Sequence, residues 1–177
     1  MMNKATTRRA GFSLIELIIT IAIMAILVGI VSLSIGLLRR ADTRGLASGI
    51  NDSLTDLKSF TESHKGPYYM FIYKVDGSGY FSHYQEEADF TAPSTPGDRD
   101  KRLGTDALAV SFSDGTDDKV IEQGADFASF RIQKKDGAYL IAPKSLSVYD
   151  GSDVDSDRVD YKVFLTKDTG LHYMEQQ

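Results

Sequence analysis

The sequence predicts an α+β protein: one long N-terminal α-helix, apolar in its first half and amphipathic in its second, packed on a C-terminal antiparallel β-sheet head. Three observations point there. An uncharged run from Leu17 to Leu38 follows a short basic segment. Leu46, Ile50, Leu54, Leu57 and Thr61 then continue at helical spacing. From Tyr68 onward, short runs of aromatic and β-branched residues alternate with turn residues at regular intervals. The organisation read from these is a leader at 1–11, an apolar helix at 12–38, an amphipathic helix at 39–66 and a β head at 67–177.

Length and composition narrow the class before any motif is considered. The chain has 177 residues and a formal net charge of -5, and from Phe12 onward 17 basic residues face 25 acidic ones. A nonspecific nucleic-acid binder needs a basic surface to release counterions, so no nucleic-acid partner is expected. There is no cysteine. Disulfides, thiolate metal sites, cysteine nucleophiles and cysteine-linked lipid anchors are thereby excluded, and the head must be held by its apolar core.

The first element begins with Lys4, Arg8 and Arg9 and no acidic residue before Phe12. The positive-inside rule keeps such an end in the cytoplasm and places the head outside. The 22 residues from Leu17 to Leu38 carry no charge, and at about 1.5 Å per residue they extend roughly 33 Å, close to the thickness of a hydrocarbon core. A transmembrane helix is the direct reading. A cleavable signal peptide has a shorter apolar region, about 7–15 residues, and a small-residue cleavage site; this run ends instead in Arg39-Arg40. Glu16 stands at its head. An ionisable group in a membrane segment costs about 2.5–3.5 kcal/mol at mid-bilayer and less near the ends, so this carboxylate calls for a function.

The amphipathic helix sets its stripe toward a core and Asp42, Asp52, Asp56 and Glu62 elsewhere, with Phe60 beside the stripe. Lys58, His64 and Lys65 are expected in its last turns, and Gly66-Pro67 is a stop, so the helix is read from about Phe12 to Lys65. Gly45 and Gly49 permit close helix approach or weaken the region; both readings stay open. In the head, Tyr68–Val75 and Tyr80–Tyr84 read as a hairpin across Asp76-Gly77-Ser78-Gly79, and 85–102, with Pro93, Pro96 and Gly97, as a long irregular loop. Further strands are expected at 107–112, 119–122, 127–134, 138–142, 145–149, 158–165 and 171–174. Together they imply an antiparallel sheet, with folding into two layers left open.

Arg8-Arg9-Ala10-Gly11 followed by Phe12-Ser13-Leu14-Ile15-Glu16-Leu17 resembles the class III signal of type IV pilins and type II secretion pseudopilins. The resemblance covers about the first 30 residues. It implies that a prepilin peptidase, also a methyltransferase, cuts between Gly11 and Phe12 on the cytoplasmic face and methylates the new amine of Phe12. It further implies that Glu16 neutralises that amine, its own or a neighbour's, and so registers each subunit in a helical filament. The partners implied are other pilin or pseudopilin subunits, an inner-membrane assembly platform and, before assembly, membrane lipid. Many type IV pilins carry a helix proline where Leu33 stands here, so local helix melting on assembly would have to come from the region of Gly29 to Gly36. The stretch from Val159 to Tyr173 resembles the last hairpin of minor pseudopilins.

Asp153, Asp155 and Asp157 alternate in a late acidic loop, a spacing able to aim several oxygens at one calcium ion. No glycine or twelfth-position glutamate completes a Ca-loop motif, and a solvated acidic turn is the competing reading. No catalytic residue and no other cofactor is expected: His64, His83 and His172 lack metal-ligand spacing, and neither a nucleophile elbow nor a phosphate-cradling loop occurs. A membrane-bound filament subunit is thus the leading expectation. A single-span sensor that is never processed and a competence pseudopilin for DNA uptake are the alternatives.

Overall fold

The computed structural model describes residues 13–124, 126–151, 154 and 159–177, and the backbone alone for 31–37. Helix α1 (Leu14–Ser63) is followed by ten strands: β1 (Tyr69–Val75), β2 (Gly79–Gln85), β3 (Lys101–Gly104), β4 (Ala109–Ser113), β5 (Asp118–Val120), β6 (Ala128–Ile132), β7 (Tyr139–Ile141), β8 (Ser145–Tyr149), β9 (Val159–Thr166) and β10 (Leu171–Gln176). The α+β expectation holds at this level. By compactness the chain divides into two units, Met1–Leu38 and Arg39–Gln177.

In the first unit, the described apolar side chains from Leu14 to Ile30 are exposed, Leu14 to 78% and Ile18 to 51%. Among the described residues no helix is long and apolar enough to cross a membrane. The side chains described there run to Ile30 and resume at Leu38, 66% exposed, whereas the apolar run in the sequence is continuous from Leu17 to Leu38.

The second unit holds two five-stranded antiparallel sheets, ordered β3-β2-β1-β6-β7 and β10-β9-β8-β4-β5. Sequence left one layer or two open; the molecule has two. Strand alternation decides what each face buries. Met70 and Ile72 of β1 meet Leu46, Ile50, Leu54 and Leu57 of α1, together with Val110, Leu146, Val148, Val163 and Leu165 from the other sheet, in one apolar core. The α1 stripe is fully buried. It is the only helix among the described elements, so both sheets bury an apolar face against one helix surface.

The opposite face of β1 carries Phe71, Tyr73 and Val75, and a second cluster forms there with Phe81, Phe90, Ala92 and Phe127. The irregular 86–100 segment supplies Phe90, whose ring stacks on Phe71 at 4.4 Å between centroids. The long loop is therefore a cover over the aromatic side of the first sheet.

Two boundaries and one packing contact differ from expectation, each for a local reason. Lys101 and Arg102 fell within the loop as read from sequence, yet they open β3. This is a four-residue strand at the sheet edge with two exposed cations, a pattern that alternation does not reveal and that edge strands favour. Helix α1 ends at Ser63 with no cation in its last turn. Just past that end, His64 Nδ1 lies 2.9 Å from the Phe60 carbonyl of the last turn, and Lys134 Nζ donates to the His64 carbonyl at 2.8 Å. Phe60 remains 37% exposed and touches Tyr84 and Tyr68 rather than the main core.

Two glycines permit close approaches. Gly79, at φ +113°, would drive a Cβ into the Gly104 carbonyl of β3, and Gly170, at φ +63°, into the Gly137 carbonyl. The second approach brings the β9–β10 turn against the β6–β7 turn. There the Tyr139 amide donates to the Lys167 carbonyl at 2.9 Å and links the two sheets.

Candidate functional site

The residues expected to carry function at the N-terminus begin just before α1. The Ser13 hydroxyl accepts a hydrogen bond from the Glu16 amide at 3.2 Å, and the Ser13 carbonyl accepts from the amides of Glu16 and Leu17 at 3.1 and 3.2 Å. Ser13 is thus the helix N-cap. The signal for it is legible as Ser13-Leu14-Ile15-Glu16, the capping-box pattern, a local role for this stretch beside the amine pairing and registry expected of Glu16. Glu16 lies in the first turn, where the positive end of the helix favours a carboxylate, and it is exposed. Thr20 one turn on donates its hydroxyl to the Glu16 and Leu17 carbonyls at 3.0 and 2.9 Å. Among the described residues the exposed Glu16 carboxylate makes no ion pair, and its place at a capped helix start suits it to meet a cation. Gly11 and Phe12 lie outside the described residues, and with them the cleavage junction and the pairing of Phe12 with Glu16.

The calcium candidates Asp153, Asp155 and Asp157 also lie outside the described residues. Among the described residues no group of three or more His, Asp or Glu side chains is placed to hold a metal ion.

Within the head, one constellation was missed by sequence reasoning. Asp100, with its side chain 3% exposed, accepts hydrogen bonds from the Tyr73 hydroxyl, the Gly97 amide and His83 Nδ1, each at 2.6 Å. Burial alone would raise the Asp100 pKa. The donors Tyr73, His83 and the Gly97 amide outweigh it and hold the carboxyl below its usual range. Tyr73 is driven the other way, first by burial and then by its bond to Asp100 and that group's charge. A groove of about 310 Å³ lies beside this cluster, lined in part by Thr91, Pro93 and Thr95. Sequence spacing offered no sign of the cluster, because its members are 27 and 17 positions apart.

An Asp–His–Tyr set invites comparison with acid–base machinery, but its bonds are directed inward. Both Asp100 oxygens are occupied, and His83 Nε2 lies 3.2 Å from Gln85 Oε1. The His83 ring is covered by Phe90 at 5.4 Å. The arrangement ties the 86–100 cover to β1 and β2. His172 has a similar bracing role between elements: Nδ1 is 2.9 Å from the Tyr139 hydroxyl and Nε2 3.2 Å from the Thr55 hydroxyl of α1. Burial lowers its pKa and favours the neutral ring. His64 stacks on Tyr68 at 4.7 Å. The three histidines are accordingly engaged in packing and bracing.

Against known proteins, residues 6–32 match the family model described as the prokaryotic N-terminal methylation motif. No curated protein and no solved structure matches the chain. The matched segment includes Gly11, Phe12, the Ser13 cap and Glu16. It points to a structural rather than a catalytic protein. Residues 6–32 therefore form a class III signal, the mark of a prepilin-peptidase substrate of the pilin or pseudopilin type, consistent with a type IV pilin-like family.

Proposed function

We propose that this chain is a structural subunit, of the minor kind, in a type IV pilus or type II secretion filament. A prepilin peptidase cuts it between Gly11 and Phe12 and methylates Phe12. Until assembly the apolar half of α1 holds it in the cytoplasmic membrane with the head outside. Other pilin or pseudopilin subunits then bury that half as an inner-membrane platform adds the subunit to the growing filament. The observation that carries this reading is the methylation motif at residues 6–32.

Two structural features support it. The large apolar side chains from Leu14 to Leu27 are each more than half exposed, and an apolar surface of that extent needs lipid or protein around it. Glu16 stands at the capped start of that surface. Once cleavage creates an amine at Phe12, the Glu16 carboxylate follows it by four residues in the sequence, and the two opposite charges can neutralise one another within or between subunits. In a low-dielectric filament core, an ion pair acts through registry more than through net stabilisation, because desolvation offsets much of the attraction.

Intact-mass measurement of the membrane-extracted protein tests the proposal. The expected mass lacks residues 1–11 and carries one added methyl group at Phe12, and Gly11→Val leaves the chain at full length. A wild-type protein that retains its leader would instead make it an unprocessed single-span protein.

A further inference from the structure

At the start of the second unit, Arg40, Ala41, Arg44, Gly45 and Ser48 of α1 and Tyr161 of β9 line an open groove of about 490 Å³. Helical spacing aligns Arg40, Arg44 and Ser48 along one stripe, while Ala41 and Gly45 beside them keep the floor low. Nothing lies within 4 Å of the place a Cβ on Gly45 would occupy. Tyr161 packs its ring against the main core and forms the far wall. The neighbouring Arg39 is engaged differently, 3.9 Å from Asp150. Among the described residues, the guanidinium groups of Arg40 and Arg44 take part in no ion pair.

Two guanidinium groups, a serine hydroxyl and a tyrosine around an open groove make a receptor for a phosphate diester. Arginine forks match phosphate oxygens bidentately, and a tyrosine sits well where one end of its environment is apolar and the other wet. The position in sequence selects the source of that phosphate. Arg40 and Arg44 come two and six residues after Leu38, where the apolar run ends. On a helix that is about 3 and 9 Å further along, comparable with a headgroup layer of about 5–7 Å. Cations at this end also run against the charge bias that orients the helix, and anionic headgroups beside them would supply the opposite charge.

We propose that the Arg40–Arg44–Tyr161 groove binds the phosphate of an anionic phospholipid headgroup and holds the head against the membrane until the subunit is extracted. The inference rests on the membrane-anchored reading above.

The full chain is reconstituted into phosphatidylcholine vesicles with and without phosphatidylglycerol, and amide hydrogen exchange is followed over residues 39–48. Phosphatidylglycerol should slow exchange there by about fivefold for each arginine engaged. Arg40→Gln/Arg44→Gln should abolish the difference, whereas Arg39→Gln should keep it. Equal exchange in both vesicles overturns the site, as does a loss in Arg39→Gln as large as in the double variant, which would indicate diffuse attraction. Protection by inorganic phosphate in pure phosphatidylcholine would overturn the lipid assignment. Protection that rises with protein density in pure phosphatidylcholine would assign the groove to a second copy and do the same. Flotation separates the two readings: failure to float with either vesicle defeats both, while flotation without differential protection defeats this one alone.

Discussion

The two halves of α1 use the same residue types to opposite ends. Leu17, Ile18 and Ile23 are between 51 and 55% exposed, while Leu46, Ile50, Leu54 and Leu57 are fully buried. The second half is interrupted by Asp42, Asp52, Asp56 and Glu62, which confine its apolar residues to a stripe that two sheets cover. The first half has no such interruption between Leu17 and Leu38. A helix that is apolar all round cannot be satisfied by one packed layer; it needs surroundings on every side. The contrast assigns stability of the head to the second half and leaves the first, under the filament-subunit proposal, as the surface for lipid or neighbouring subunits.

The largest test of this contrast removes equivalent volume from each half. Leu54→Ala leaves a cavity among α1 and both sheets and should cost the head about 2–5 kcal/mol, read from denaturant unfolding of the full chain in detergent micelles. Ile23→Ala removes a side chain 52% exposed in the first unit and should leave the same transition unchanged. Comparable losses from both would mean that the halves melt as one, and the contrast would fail.

A smaller effect is expected where the head is braced by polar bonds. Asp100→Asn exchanges a charged acceptor of three hydrogen bonds for a neutral amide and should cost about 1–3 kcal/mol at neutral pH. The pH dependence gives the sign. Because the folded Asp100 pKa lies below its unfolded value of 3.8, its contribution is complete above that pH and is lost as pH falls through the lower folded value. The gap between wild type and Asp100→Asn should therefore be constant near neutrality and narrow in acid below about pH 4. A gap independent of pH would show that the carboxylate charge contributes nothing and that shape alone holds the 86–100 cover.

How much of this was readable in advance follows from the range of each interaction. The α1 stripe and most strands were legible because their periods of 3.6 and 2 residues are local. The methylation signal was legible because its chemistry is carried by consecutive residues, from Arg8 to Leu17. β3 was hidden because Lys101 and Arg102 are exposed edge residues whose strand state is set by pairing with Phe81 and Ser82. Asp100 was hidden for a related reason: its partners Tyr73 and His83 come from two neighbouring strands, and nothing about Asp100 in sequence indicates burial. The Ser13 cap is legible for the same reason as the helix stripe, since Ser13 and Glu16 are only three residues apart.

The smallest effects sharpen the contrast with three helical glycines. A Cβ at Gly29 or Gly45 would meet nothing within 4 Å, whereas at Gly49 it would lie 3.4 Å from the Leu103 carbonyl oxygen and 3.5 Å from the Leu103 Cα. Gly45→Ala should gain about 0.5–1 kcal/mol in head unfolding, since alanine restricts the unfolded chain and favours helix without meeting a neighbour. Gly49→Ala should gain less, because the added methyl arrives at the near edge of ordinary contact with β3. That difference also answers which of the two glycines marks a close approach: Gly49, toward a strand rather than a second helix. Gly29→Ala has the same intrinsic gain as Gly45→Ala but sits in the first unit, so the head transition should not move. Equal shifts from Gly29→Ala and Gly45→Ala in the same micelles would show helical order passing from one half into the folding of the other, and the two halves of α1 would have to be treated as one cooperative element.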